Sequence, residues 1–244
     1  MSGRPLPLLG TFHELSVAVA DVRAAVEFYE RLGFSHATTT DTYSHPYGVL
    51  TDGRLFIGLH RRAPPSPVLT FVRPGVAGSA TALARAGIEL RTCHTGEEVF
   101  NELSFEAACG QTVAVLEART YSPVTRSAHE SSLCGEFAEL SLPAADFARA
   151  QRCWEDLGFV AAEEQDSPYA RLPLTSDFLE LAFHRPRLCE QPLLVFRAPD
   201  MQGRIERLRS LGVAFAPTPR GLPPESALLD APAGTPLLLL PETD

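Results

Sequence analysis

The chain repeats itself over a long stretch. Residues 12–34, FHELSVAVADVRAAVEFYERLGF, align without a gap on residues 137–159, FAELSLPAADFARAQRCWEDLGF, and eleven of the 23 positions are identical. The same shift of 125 residues places 73–90 on 198–215, and a three-residue deletion places 46–59 on 168–181. Such a repeat indicates that one structural plan is used twice, so the fold is built from two equivalent halves.

Each half divides again into two units of one kind. In the first unit, a strand of alternating polarity at 12–19 precedes Asp21, which is typical of a helix N-cap, and Gly33 marks the end of the helix. Three short strands follow it. The sequence predicts four β-α-β-β-β units at 11–62, 67–118, 136–186 and 192–241, which form a first domain at 10–119 and a second at 135–242, joined by a linker at 120–134.

Four such units, together with the run ADVRAAVEFYERLGF at 20–34, resemble the vicinal oxygen chelate superfamily. Its members include glyoxalase I, the bleomycin-resistance proteins and the extradiol dioxygenases. The resemblance implies an α+β fold of two tandem glyoxalase-like domains, with curved mixed sheets around clefts. It implies no single activity, because one scaffold carries several chemistries. The sequence leaves open whether the clefts form within each half or across the two.

The resemblance also implies four metal-ligand positions in each half. The first lies seven residues before the capping aspartate, which gives Glu14 and Glu139 and excludes the neighbouring His13 unless a bulge shifts the strand. The other positions fall on Gly58, Val68 and Ala114 in the first half, and on Glu180, Leu193 and Leu238 in the second. Because metal sites usually need three or more protein ligands, we expect no cofactor. A divalent metal, if one binds, would be held by Glu139 and Glu180.

Strand parity predicts which side chains face the clefts, since alternate residues of a strand point to opposite sides. An apolar slot with a few polar groups is typical of a small-molecule site, and a carboxylate there favours a cationic or amine-bearing ligand. If the protein is an enzyme, Glu14, Glu139 and Glu180 are the candidate catalytic groups. Alternatively, Glu14 and Glu139 bind an arginine or the backbone and only stabilise the fold. The predicted ligand-binding residues are Glu14, Ser16, Phe56, His60, Glu139, Ser141, Phe178, Glu180 and His184.

Three functions are consistent with these predicted residues. The first is a metal-independent binder of a drug or metabolite, similar to the bleomycin-resistance branch. The second is a glyoxalase-like or dioxygenase-like lyase or oxidoreductase, which uses a degenerate metal site or a glutamate as acid and base. The third is an interaction protein whose clefts are filled by its own side chains.

Composition excludes other classes of function. A net charge of −9 argues against nucleic acid as a partner, because phosphate neutralisation needs clustered Lys and Arg. The N-terminal MSGRPLPLLG lacks the apolar core of a signal peptide, and we expect no membrane partner. Five cysteines without a CxxC pattern favour reduced thiols and a cytoplasmic location. We expect a small-molecule ligand and either a monomer that acts as a pseudo-dimer or a homodimer.

Overall fold

The computed structural model describes residues 8–37, 45–61, 67–118, 132–232 and 234–242. These residues contain four α-helices and sixteen strands, arranged in two eight-stranded mixed sheets. The predicted α+β fold with tandem glyoxalase-like halves is therefore confirmed. We call residues 8–118 the first half and residues 132–242 the second half. Most of the predicted linker at 120–134 lies outside the described residues.

The first half contains one sheet and two helices. Its sheet order is β2-β3-β4-β1-β5-β8-β7-β6. The strands are β1 Thr11–Ala18, β2 Ser35–His36, β3 Tyr47–Thr51, β4 Phe56–His60, β5 Val68–Arg73, β6 Leu90–His94, β7 Glu102–Glu106 and β8 Thr112–Glu117; the helices are α1 Val22–Arg31 and α2 Val76–Arg85, with a 3₁₀ turn at Ala108–Gly110.

The second half repeats this order as β10-β11-β12-β9-β13-β16-β15-β14. Its elements are β9 Glu136–Pro143, β10 Val160–Ala161, β11 Arg171–Thr175, β12 Glu180–His184, β13 Leu193–Ala198, β14 Phe215–Ala216, β15 Ala227–Leu229 and β16 Leu237–Pro241, with the helices α3 Phe147–Asp156 and α4 Met201–Ser210.

Strand pairing answers the question that the sequence left open. The strand β1 runs antiparallel to β5, which belongs to the second unit of the same half. In the second half, β9 pairs with β13 in the same way. Each sheet, and with it each concave face, is therefore formed within one half.

The helices α1 and α3 begin after the predicted capping aspartates, and the helices pack their apolar sides against the sheets. Asp21 accepts a hydrogen bond from the Ala24 amide at 3.1 Å, and Asp146 accepts one from the Arg149 amide at 3.0 Å, so both aspartates cap their helices.

A single buried core runs through both halves. The rings of Phe34 and Phe196, one from each half, lie edge to face with centroids 6.3 Å apart.

The strand registers correct one part of the repeat. Ser16 pairs with Gly58 in the first half, and its equivalent Ser141 pairs with Ala182 in the second. Gly58 therefore corresponds to Ala182. The predicted match of Gly58 with Glu180 is wrong by two residues along the strand.

None of the helices in the described residues is long and apolar enough to cross a membrane.

Candidate functional site

A buried carboxylate lies at the centre of the first sheet. Glu14 is only 1% exposed and accepts a hydrogen bond on Oε1 from the Ser16 hydroxyl, at 2.6 Å. Thr70 Oγ1 lies 2.8 Å from Ser16 Oγ. Because Ser16 gives its only hydroxyl proton to Glu14, Thr70 is the donor to Ser16. The hydroxyl groups of two neighbouring strands thus form a short chain that ends on the carboxylate.

Two histidines approach the same carboxylate from β4 and from the segment before β3. His60 Nε2 lies 3.1 Å from Glu14 Oε1, and His60 Nδ1 lies 3.0 Å from His45 Nε2. The Tyr47 ring stacks on His60 with centroids 6.0 Å apart. His60 is buried, whereas His45 is only half-buried. A hydrogen-bonded path therefore leads from Glu14 toward the surface.

Opposing effects act on the pKa of Glu14. Burial raises the pKa, because a charged group loses its hydration. The hydrogen bonds from His60 and Ser16, and the positive potential of His13 and His60, lower it by more. The net result is a pKa below the ordinary value for glutamate, so Glu14 is ionised at neutral pH.

The site presents acceptors to its surroundings. Within the described residues, every hydrogen bond to Glu14 ends on Oε1, so Oε2 keeps its capacity to accept one. Thr70 uses its proton on Ser16 and keeps lone pairs on Oγ1. A carboxylate oxygen and a hydroxyl oxygen on one sheet face suit a ligand that donates hydrogen bonds.

The metal-ligand set implied by the resemblance does not fit this half. A Cβ atom added to Gly58 would overlap the carboxylate of Glu14. Glu14, at the first ligand position, therefore occupies the space that a side chain at the second position, Gly58, would need. Val68 and Ala114 carry no donor atoms. No group of three or more His, Cys, Asp or Glu side chains in the described ranges could hold a metal ion. The donor atoms of the described residues therefore differ from the ligand set that the resemblance implies.

His13 is the inserted residue of a β-bulge. The register of β1 on β5 passes from Phe12–Phe71 to Glu14–Thr70, and His13 falls between these pairs. The bulge that would have made His13 a candidate is present, yet Glu14 remains the residue that contacts Ser16.

The equivalent glutamate in the second half is neutralised. Glu139 is buried, its Oε2 pairs with the Arg171 guanidinium, and its Oε1 accepts a hydrogen bond from the Tyr169 hydroxyl at 3.1 Å. Both of its oxygens are thus engaged by side chains of the same half. This matches the stabilising role that the sequence analysis gave as an alternative.

His184, the equivalent of His60, is held in one tautomer. Its Nε2 lies 3.0 Å from the Cys189 carbonyl, which can only accept, so Nε2 carries the proton. Its Nδ1 then accepts from the Ser141 hydroxyl at 2.8 Å. Burial lowers the pKa of His184 to about 4, so the ring is neutral at pH 7.

The face of the second sheet opposite to its helices carries large apolar side chains. A separate apolar cluster covers the face, with Leu188, Cys189 and Leu222 packed against it. Its buried members are Tyr169, Leu193, Val195, Leu228, Leu238 and Leu240.

The structure brings only some of the predicted residues together. Glu14, Ser16 and His60 are in contact, and so are Ser141 and His184. Glu180 is exposed and accepts a hydrogen bond from the Thr175 hydroxyl at 2.7 Å. No hydrogen bond or ion pair between described residues joins Glu180 to Glu139. Phe56 and Phe178 are half-buried and lie outside these two networks.

Among the residues of these networks that the predicted set does not include are His45 and Arg171. His45 precedes its strand and has no place in a parity argument. Arg171 would have been found from the correct register, since it faces His184 as Tyr47 faces His60.

Comparison with known proteins identifies the fold. No protein-family model and no curated protein sequence matches this chain. Among solved structures, the 2,3-dioxygenase LapB from Pseudomonas sp. KL28 matches with a TM-score of 0.63 at 15% identity, over 98% of this chain and 94% of that chain. Homoprotocatechuate 2,3-dioxygenase from Arthrobacter globiformis matches with a TM-score of 0.62 at 14% identity, over 98% and 81%.

A catechol 2,3-dioxygenase matches with a TM-score of 0.59 at 14% identity, over 97% of this chain and 88% of that chain. These likenesses extend over both halves. The chain therefore has the vicinal oxygen chelate fold, in the tandem arrangement of the extradiol dioxygenases.

Proposed function

We propose that the first half binds a small molecule through an amine or another hydrogen-bond-donating group, and that Glu14 is its anchor. The observation that carries the proposal is an ionised, buried carboxylate whose hydrogen bonds from the described residues all end on one oxygen. A donor that reaches Oε2 forms a charge-assisted hydrogen bond in a site shielded from water, where such a bond is strong.

The surroundings of Glu14 support a cationic ligand. Unlike Glu139, Glu14 has no arginine partner among the described residues, and its charge is compensated by hydrogen bonds and by histidine. The net charge of −9 also favours cations at long range. We further propose a cytoplasmic protein, supported by the five cysteines, none of which forms a disulfide.

A thermal-shift and calorimetric comparison of matched ligands tests this proposal. Benzylamine and other primary amines are compared with alcohols of the same shape, such as benzyl alcohol. We expect amines to bind about 10- to 100-fold more tightly than the alcohols, which corresponds to roughly 1.5–3 kcal/mol for a hydrogen bond to a charged group. Glu14→Gln should remove the preference, and the exposed Glu27→Gln should retain it. Equal binding of amines and alcohols, or a preference that survives Glu14→Gln, would overturn the proposal.

A second candidate function is proton transfer to and from an enolisable ligand. The observation that favours it is the path from Glu14 through His60 to the half-buried His45, which would carry a proton between the site and solvent. In this function Glu14 takes a proton from carbon, and His60 accepts that proton on Nε2 in the tautomer that carries its own proton on Nδ1, next to His45. The lowered pKa of Glu14 makes it a weak base, which is why binding is the first proposal.

Hydrogen–deuterium exchange distinguishes the two functions. Aminoacetone in D₂O, followed by proton NMR, would lose its methylene signal faster with the protein than without it. His45→Gln should slow this exchange without weakening amine binding, whereas Glu14→Gln should abolish both. No acceleration of exchange would eliminate proton transfer and leave the binding proposal standing.

A further inference from the structure

A cavity of about 340 Å³ lies between the two halves, away from Glu14. Its apolar wall is contributed almost symmetrically: Phe12 and Leu55 come from the first half, and Phe137 and Leu179 from the second. Phe12 and Phe137 occupy the same place in the repeat. This volume is at the lower end of the range for small-molecule sites, so its occupant is small.

An arginine in this wall has no side-chain partner among the residues that the structure describes. Arg197 Nη2 is buried without a hydrogen bond, and no ion pair or side-chain hydrogen bond of the described residues involves the guanidinium. Its register partner on β9 is Glu136, but the Glu136 carboxylate pairs with Arg54 of the first half. Because a buried charged donor without a partner is unfavourable, Arg197 is suited to an incoming carboxylate, which it can bind through two parallel hydrogen bonds.

Carboxylates line the same cavity. Glu180 and Glu242 both border it, and neither forms an ion pair with a described residue. Glu180 accepts one hydrogen bond, from Thr175. The wall therefore offers an unpaired positive charge and unpaired negative charges, with aromatic rings beside them. One ligand that complements all of these groups carries a carboxylate, an ammonium group and an apolar side chain.

We propose that this junction cavity binds a zwitterion of the α-amino acid class. The carboxylate of the ligand binds Arg197, and the ammonium group of the ligand faces Glu180 and Glu242. The side chain of the ligand lies between Phe12 and Phe137. The site is separate from Glu14 and does not depend on the function proposed for it. Since its wall comes from both halves, ligand binding there would also hold the halves together.

Calorimetry with three probes of similar shape tests the proposal. L-phenylalanine carries both charges, phenethylamine carries only the ammonium group, and 3-phenylpropionate carries only the carboxylate. We expect L-phenylalanine to bind at least 10-fold more tightly than either of the others. Three probes that bind equally, or no binding of L-phenylalanine at millimolar concentration, would overturn the proposal.

Variants then locate the site. Arg197→Gln should weaken L-phenylalanine binding at least 10-fold, and the exposed Arg187→Gln is the matched control that should not. Glu180→Gln should weaken phenethylamine and L-phenylalanine but leave 3-phenylpropionate unchanged, which also keeps the test valid if Arg197→Gln fails to fold. All three titrations are repeated in Glu14→Gln, where the amine site at Glu14 no longer contributes. The preference for L-phenylalanine over 3-phenylpropionate should persist there, so this site and the Glu14 site fail or succeed independently. Loss of L-phenylalanine binding in Glu14→Gln, with Arg197→Gln unaffected, would refute the junction site.

Discussion

The two halves share one strand order, but the equivalent glutamates Glu14 and Glu139 have different partners. Glu14 is compensated by Ser16 and His60, and Oε2 is left available. Glu139 is bound by Arg171 and Tyr169. One position accounts for much of the difference, since Tyr47 occupies in the first half the place of Arg171 in the second. A repeated residue therefore keeps its location, while its neighbours decide its role.

The neighbouring strands follow the same division. Thr70 in β5 corresponds to Val195 in β13, and Ala114 in β8 corresponds to Leu238 in β16. The first half thus has small or polar side chains where the second has large apolar ones. This difference agrees with the proposed ligand site, which lies in the first half.

The largest expected effect comes from the ion pair of the second half. Arg171→Ala leaves the buried Glu139 carboxylate without its countercharge, which should lower the free energy of unfolding by about 3–5 kcal/mol. Chemical denaturation measures this loss. Arg23→Ala, which breaks an exposed pair with Glu27, should cost less than about 0.5 kcal/mol and is the control. A similar, small loss in both variants would mean that Arg171 does not stabilise the second half.

The pH dependence of stability should come partly from His184. Its pKa in the folded protein is about 4, against about 6.5 in the unfolded chain, so only the unfolded chain takes up this proton between those values. Stability contributed by the neutral ring is present above pH 6.5 and falls as the pH drops toward 4, by about 3 kcal/mol at most. Denaturation from pH 7 to 4.5 measures the slope. His184→Gln should reduce it, and an equal slope in the parent protein and in this variant would refute this assignment.

Gly58→Ala tests the position of Glu14. The added methyl group overlaps the Glu14 carboxylate and should cost about 1–3 kcal/mol of stability, together with the preference for amines. The second half already carries Ala182 at this place. Thermal denaturation and amine titration measure the two effects, and unchanged values in both would show that Glu14 does not lie over Gly58.

Thr70→Val makes the first half more like the second and should have the smallest effect. It removes the hydrogen bond to Ser16, with a loss of about 1 kcal/mol in the free energy of unfolding. The substitution also removes an acceptor from the site, so amine affinity should fall even though the fold persists. A variant with unchanged amine affinity would show that the Thr70 hydroxyl does not face the ligand.

The sequence was sufficient for the fold and for part of the site. Strand alternation assigned Glu14, Ser16 and His60 to one face of the sheet, because each side chain of a strand can point only to one of two faces. The alignment of the two halves was wrong for β4, because it was based on the Pro-Tyr pair that occurs at 46–47 and again at 168–169. The registers show that Tyr47 corresponds to Arg171, so that match is coincidental. Alignment on His60 and His184 would have given the correct register.

Other features depend on three-dimensional packing and could not be predicted. The ion pair between Arg54 and Glu136 joins residues of different halves, and it leaves Arg197 without a side-chain partner among the described residues. The sign of the Glu14 pKa shift depends on a balance between burial and several hydrogen bonds. Neither effect has a periodic signature in the sequence.

The most direct test of the difference between the halves is carbon-detected NMR of the glutamate side-chain carboxyl groups during titration with the amine that binds most tightly. The Glu14 resonance is assigned with Glu14→Gln and the Glu139 resonance with Glu139→Gln. Our account predicts that the Glu14 carboxyl signal moves in a saturable way and that the Glu139 signal does not. A saturable shift at Glu139, with Glu14 unmoved, would contradict it.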